Sequence, residues 1–239
     1  VINPVPVDTP VFTRAGTATY QDANAVLQTA ITDQRRETFT LGPRNLFTYS
    51  EQFDNAIWQK VALTMTANNT TAPDGTLTAD RILETAVTGS HHILRLPIRL
   101  RNESYTFSLY AQAIGPRGVL ILVSNPAGTY KWVTFNLTAG TIIATSGTVT
   151  GTITAAANGF FRCSVTVTAS EAPCELLIGT CDLAGNQIIA GNVTYGLYLW
   201  GAQLEFGTSV GTYIPTTTEV GVAAGVANGY IYEPNAATN

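Results

Sequence analysis

Ser104-Tyr-Thr-Phe-Ser-Leu-Tyr-Ala-Gln-Ala113 alternates along its length: Tyr105, Phe107, Leu109 and Ala111 fall on one side, Thr106, Ser108 and Tyr110 on the other. A period of two is the signature of a strand with one buried face. Just downstream, Val119 to Ser124 is a short apolar strand that stops at the turn Asn125-Pro-Ala-Gly128. Thr129 to Leu137 alternates again, with Lys131, Val133 and Phe135 opposite Tyr130, Trp132 and Thr134. Thr141 to Thr145, Thr148 to Thr154 and Phe160 to Ala169 continue the series, the last after the turn Asn158-Gly159. Cys174 to Cys181 and Gln187 to Ala190 flank Asp182-Leu-Ala-Gly-Asn186, which reads as a hairpin, and Thr194 to Phe206 reads as a long strand centred on Trp200. Strands at such even spacing, with turn residues between them, predict an all-β antiparallel sandwich of the jelly-roll kind. No long helical periodicity interrupts them; Phe53, Ile57 and Trp58 suggest only a short helical turn.

Composition agrees. The 239 residues include 37 Thr, and Thr is β-branched and covers a sheet face without charge. Charged residues make up 12 % of the chain, against roughly 25 % in an ordinary globular protein. Lysine occurs only at Lys60 and Lys131. A net charge of -4 argues against nucleic acid as a partner, which calls for a cationic footprint. No apolar run approaches the length that spans a bilayer, so no membrane partner is expected. A sparsely charged, Thr-rich surface suits a chain that is partly covered in an assembly. Three cysteines without a CxxC pair suggest buried thiols in a reduced compartment, and no signal peptide is visible.

The chain divides into three parts. Residues 1–44 form an extended arm, spaced by Pro4, Pro6 and Pro10, with a small hairpin over Thr17–Tyr20 and Val26–Ala30; a helix over Ala25–Arg35 competes with that hairpin. Residues 45–218 form the jelly-roll domain. Residues 219–239 form a tail with room for one extra strand.

Catalytic chemistry finds little support. The histidines are His91 and His92, whose side chains would point to opposite faces of a strand. No Gly-x-Ser-x-Gly elbow or phosphate-binding loop is present. The carboxylate pairs Glu171/Glu175 and Asp74/Asp80 read as solvated turn residues. The expectation is a protein that is not an enzyme and needs no metal or cofactor. A glycan platform is a better candidate, with Tyr110, Tyr130, Trp132, Tyr198 and Trp200 supplying aromatic faces, although tryptophans also serve as core anchors.

Several segments also carry a family resemblance. Asn45-Leu-Phe-Thr-Tyr-Ser-Glu-Gln-Phe-Asp-Asn-Ala-Ile-Trp58, Ala72-Pro-Asp-Gly-Thr-Leu-Thr-Ala-Asp80, Tyr105–Ala111, Asn158-Gly-Phe-Phe-Arg-Cys163, Leu199-Trp-Gly-Ala-Gln-Leu-Glu205 and Tyr213-Ile-Pro-Thr-Thr217 resemble, in that order, a module of bacteriophage virion proteins. Ala15–Ala30 is similar to the leader that precedes it. The resemblance implies a carbohydrate-binding-module-like jelly roll in a virion structural protein assembled in the host cytoplasm, and a homotrimer. Two roles follow from it. The first is a capsid decoration, or cement, protein held to the major capsid protein through the arm, with Arg14, Arg35, Arg36 and Arg44 as anchors. The second is a short tail or head fibre that grips host-surface glycan through the jelly roll.

Overall fold

The computed structural model describes residues 18–21, 27–30, 44–100, 103–124, 130–168, 172–218 and 221–222. The chain forms two compact units, one of residues 1–42 with 223–239 and one of residues 43–222. In the first, β1 (Ala18–Gln21) pairs antiparallel with β2 (Leu27–Ala30), with Ala18 opposite Ala30 and Gln21 opposite Leu27. This is the expected hairpin; Leu27–Ala30 is strand, not helix.

The second unit runs through β3 (Arg44–Asn45), β4 (Trp58–Val61), β5 (Leu63–Thr70), β6 (Ala79–Glu84), β7 (Thr88–Gly89), β8 (His92–Leu100), β9 (Ser104–Ile114), β10 (Gly118–Ser124), β11 (Tyr130–Asn136), β12 (Thr141–Thr145), β13 (Thr150–Ala155), β14 (Phe161–Thr168), β15 (Ala172–Cys181), β16 (Ile189–Ala190), β17 (Gly196–Phe206) and β18 (Gly221–Val222). Two six-stranded sheets carry the fold: the first in the order β12-β11-β10-β15-β8-β4, the second in the order β13-β14-β9-β17-β6-β5. Every pairing is antiparallel. The chain passes back and forth between the sheets, as β8 and β9 do, which makes the sandwich a jelly roll.

The core lies between the sheets. Tyr105, Phe107, Leu109 and Ala111 of β9 face inward as their alternation predicts, and Val119, Ile121, Val133, Phe135, Leu176 and Ile178 meet them from the first sheet. Each fully buried side chain of this size contributes about 1.5–3 kcal/mol. All three cysteines are buried, and burial pushes the Cys181 thiol up to about 12.

One side chain ties the sandwich together at its seam. Asn45 is fully buried. Its amide donates to the carbonyls of Ala202 (2.9 Å) and Ile214 (2.9 Å). Its Oδ1 accepts from the backbone N–H of Phe47 (3.1 Å) and Leu204 (3.2 Å). Ala202 and Leu204 sit at a β-bulge in β17, where the pairing with β9 slips between Trp200 and Gln203. Gly201 allows the bulge with φ of +63°; a Cβ there would stand 3.0 Å from the Tyr110 ring. The slip reverses the parity of the strand. Trp200 points outward, while Ala202 and Leu204 point into the core.

Three expectations need correction. Phe53 and Trp58 are core residues, but the segment makes two successive turns, with the N–H of Asn55 donating to Gln52 O and that of Trp58 to Asn55 O, rather than a helical one. No hairpin joins Cys174–Cys181 to Gln187–Ala190. The Asp182 carboxylate accepts the N–H groups of Ala184 and Asn186 and closes a local loop, so β16 pairs with β7 instead. Asp80 is not a solvated turn residue. It lies in β6, buried, and accepts the N–H groups of Phe53 (2.8 Å) and Asn68 (2.9 Å). Its companion Asp74 is a turn residue, accepting the N–H and hydroxyl of Thr76.

Replacing Asn45 with Asp keeps the shape but turns two donors into an acceptor facing two carbonyls. Chemical denaturation should show a loss of about 3 kcal/mol or more at pH 7; an unchanged midpoint would remove the clamp from the account. Asp80 supplies a second test. Burial raises its carboxyl to about 6, above an ordinary value of roughly 3.9 in the unfolded chain. The folded form therefore binds more protons between those values, and stability is gained as pH falls and lost as pH rises through about 6. His92, held low by burial and by His91, acts in the opposite sense on acidification, but it cancels in a comparison with Asp80→Asn. The stability of the wild type relative to Asp80→Asn should rise by about 1 kcal/mol between pH 7 and pH 5. A flat difference would contradict the burial.

Candidate functional site

The two outer faces of the sandwich differ. On the second sheet, outward residues such as Thr106, Ser108, Ser164, Gln203 and Glu205 are buried, although most are polar. The chain after β17 folds back over them. Gln203 donates to Thr212 O (3.1 Å) and accepts from Ile214 N (2.7 Å). Glu205 accepts from Gly211 N (3.1 Å), and Arg162 donates to Gly211 O (2.7 Å) and the Ser108 hydroxyl (3.1 Å). Gln203 and Glu205 are matched by backbone groups of this strap, Thr106 by Gly207 O, and Ser108 and Ser164 by Arg162 and Thr152 of neighbouring strands, so the face is closed by chemistry as well as by cover.

Three members of the expected aromatic platform belong to this closed face. Trp200 is 4 % exposed and packs with Ala72, Ala79 and Phe160, with Tyr110, Tyr198 and Tyr213 partly buried around it. Its ring centroid lies 4.6 Å from Tyr213 and 5.2 Å from Tyr110, and its indole N–H donates to Thr78 Oγ1 (2.9 Å). The Tyr213 hydroxyl donates to Glu51 (3.0 Å) and shares a hydrogen bond with Ser50 (2.6 Å). Burial raises Tyr213 and Glu51 alike. Trp200 is an anchor of a second small core.

The first sheet presents a different outer face. Cross-strand register sets Trp132 opposite Leu122, Leu122 opposite Leu177, Leu177 opposite Leu94 and Leu94 opposite Gln59. Their inward neighbours Val133, Ile121, Ile178 and Ile93 belong to the core, so this row points outward. It crosses four strands at about 4.8 Å per step, roughly 14 Å of apolar surface from Trp132 to Leu94. Trp132, Leu177 and Leu94 are half-buried, and Gln59 is exposed. A parallel row holds Tyr130, Ser124 and Glu175. Tyr130 is 60 % exposed, and Ser124 donates to Glu175 (3.3 Å). On the other flank, the 182–186 loop rests on the sheet; a Cβ on Gly185 would stand 3.2 Å from Thr134 Oγ1. Ser146 fixes the aromatic strand by donating to Tyr130 O (3.1 Å) and accepting from Trp132 N (2.9 Å).

The structure thus divides the five expected platform residues. Tyr130 and Trp132 share the open face, while Tyr110, Tyr198 and Trp200 lie across the sandwich. Sequence reading did not bring Leu94, Leu122, Leu177 and Gln59 to this face, and it weighed Glu175 only as a turn carboxylate. Arg14, Arg35 and Arg36 lie outside the described residues, and so does Glu171. Arg44 is placed by its backbone, which pairs with Val222 in β18.

Glu84, Arg117 and Arg95 serve structure. Glu84 and Arg117 form a buried pair (2.6 Å) that also holds Asn192 N and Ala190 O. Arg95 stands over the rings of Trp58 (5.0 Å) and Phe47 (5.5 Å), its guanidinium lowered to about 10 by burial. Among the described residues, no group of three His, Cys, Asp or Glu side chains is placed to hold a metal ion.

No protein-family profile matches the chain, and no curated protein matches it in sequence. Solved structures give distant likenesses. The C-terminal family 22 carbohydrate binding module of Clostridium thermocellum Xyn10B is 11 % identical, with a TM-score of 0.44 over 70 % of this chain and 96 % of that one. TmCBM61, solved in complex with beta-1,4-galactotriose, is 10 % identical, with a TM-score of 0.41 over 69 % of this chain and 99 % of that one. The Cry4Aa toxin of Bacillus thuringiensis is 16 % identical, with a TM-score of 0.33 over 64 % of this chain and 22 % of that one. Likenesses of this strength do not assign a ligand.

Proposed function

We propose that this chain is a non-catalytic glycan-binding domain that takes neutral oligosaccharide on the outer face of the first sheet. The observation that supports it is the outward apolar row from Trp132 to Leu94, buried at Leu122 and half-buried at Trp132, Leu177 and Leu94, with the exposed Tyr130, Glu175 and Gln59 at its border. A pyranose ring has an apolar C–H face and a polar rim. The first suits Trp and Tyr surfaces. The second needs both donors and acceptors, which the exposed Gln59 amide and Glu175 carboxylate supply. Among the described outward side chains of these strands the charged one is Glu175, and the chain carries a net charge of -4, so an acidic sugar would meet repulsion. On our reading of the ordered sequence resemblance, such a domain would belong to a bacteriophage virion protein and hold host-surface glycan. The competing role, capsid cement, depends on arm residues outside the described structure, and no described contact favours it.

Calorimetric titration with a panel of neutral oligosaccharides, bacterial-surface glycans among them, tests the reading. Trp132→Ala and Tyr130→Ala should each weaken binding at least tenfold, the loss expected when an aromatic anchor is truncated. Trp200→Phe should bind as the wild type does. Absence of binding across the panel would sink the proposal, as would a Trp200 variant that loses binding while the Trp132 variant keeps it.

A further inference from the structure

A sheet edge with unpaired backbone groups invites another strand, and proteins usually blunt it with charge, proline, bulges or shortness. The two sides of this sandwich are treated differently. On one side, β4 is four residues long and carries Lys60. Beside it, β5 is broken by a bulge between Thr66 and Thr70, with Asn68 at φ of +51°, and Pro73 follows closely. On the other side stand β12 and β13, the terminal strands of the two sheets among the described residues. Between Lys131 and Arg162 the chain has neither a charged residue nor a proline. Thr150, Thr152 and Thr154 of β13 are exposed on its outer face, and the register from Thr150 to Ala155 runs against β14 without a bulge. Among the described residues, the β13 edge of the second sheet carries no charge, proline or bulge.

Hydroxyl groups continue to that edge from inside the sheet. Thr106 pairs with Thr166 (2.9 Å), Ser104 with Thr168 (3.3 Å) and Ser164 with Thr152 (2.6 Å), each across neighbouring strands. Cross-strand Thr and Ser pairs stabilise a sheet, and this set reaches β13. We propose that β13 is a self-association edge, where a second copy of this chain adds its own β13 antiparallel and extends the second sheet across a two-fold axis. The occupant is a second copy because an identical strand brings the same outward rank of Thr150, Thr152 and Thr154, so the hydroxyl pairing continues, and because two uncharged edges meet without repulsion. A two-fold contact uses the same patch on both partners. The pairing also sets two open glycan faces in one particle, which raises avidity if the partner surface is multivalent. The association itself rests on the edge and not on the glycan reading.

Sedimentation and mixing experiments on the full chain test it. The wild type should sediment as a dimer whose affinity is nearly independent of salt, since no charge pair holds it. Thr150→Lys/Thr154→Lys and Thr150→Glu/Thr154→Glu should each be folded monomers by circular dichroism, and mixing the two should restore a dimer of one each. In the wild type, an equal mixture of isotope-labelled and unlabelled chains should give intermolecular contacts between residues 150–154 of the two copies. That last measurement needs no variant and stands even if the substituted chains fail to fold. A wild-type monomer or trimer, a Lys variant that stays dimeric, or an edge whose contacts come from residues 1–43 of the same chain would each overturn the proposal.

Discussion

The Asn45 carboxamide is the constraint on which the sandwich closes. Two donors and one oxygen satisfy four backbone groups, at Phe47, Ala202, Leu204 and Ile214. A water could meet any one of them, but only a fixed side chain holds the start of the domain, the bulge of β17 and the returning strap in one place. The bulge then decides where the large residues go. With Gly201 in a left-handed conformation, Trp200 turns out toward Tyr110 and Tyr213, and Ala202 and Leu204 turn into the core. The strap lies over the outer face of the second sheet because Gln203, Glu205 and Arg162 bind its backbone.

That closure is why the proposed function puts the ligand on the first sheet. The two faces show opposite solutions to the same problem. On the second sheet, buried polar side chains bond to strap backbone, as Gln203 and Glu205 do, or to neighbouring strands, as Ser108 and Ser164 do. On the first, leucines and a tryptophan lie in one row, partly open, with polar groups at the margins. A protein surface normally scatters its apolar residues singly. A continuous row with an exposed tyrosine beside it is a surface suited to a partner that has its own apolar face and polar rim.

Alternation in Ser104–Ala113 and Thr129–Leu137 made the strands legible, and the hairpin at Ala18–Ala30 was legible from its turn. Other elements were not. Ala79–Glu84 carries Asp80, Arg81 and Glu84, and its charges disguise a strand whose Asp80 and Glu84 are buried against backbone N–H groups and Arg117. Asp182 closes its own loop, so a sequence that looks like a hairpin turn sends the chain to β7. The candidate platform shows a further limit. Period two tells which residues of one strand share a side, and it grouped Tyr130 with Trp132 correctly. It does not tell which side is covered by chain from elsewhere, so Tyr110, Tyr198 and Trp200 looked equivalent to them. Leu120 and Leu122 were hidden for the opposite reason: Val119–Val123 is apolar on both faces, and a strand like that reads as wholly buried.

The three tryptophans report on the three environments at once: Trp58 in the main core, Trp200 under the strap and Trp132 on the open face. Fluorine NMR of the 5-fluorotryptophan protein, titrated with a bound neutral oligosaccharide, therefore tests the central claim directly. The account predicts that the Trp132 resonance shifts and saturates while those of Trp58 and Trp200 stay in place. A saturating shift of the Trp200 resonance with Trp132 unmoved would contradict it.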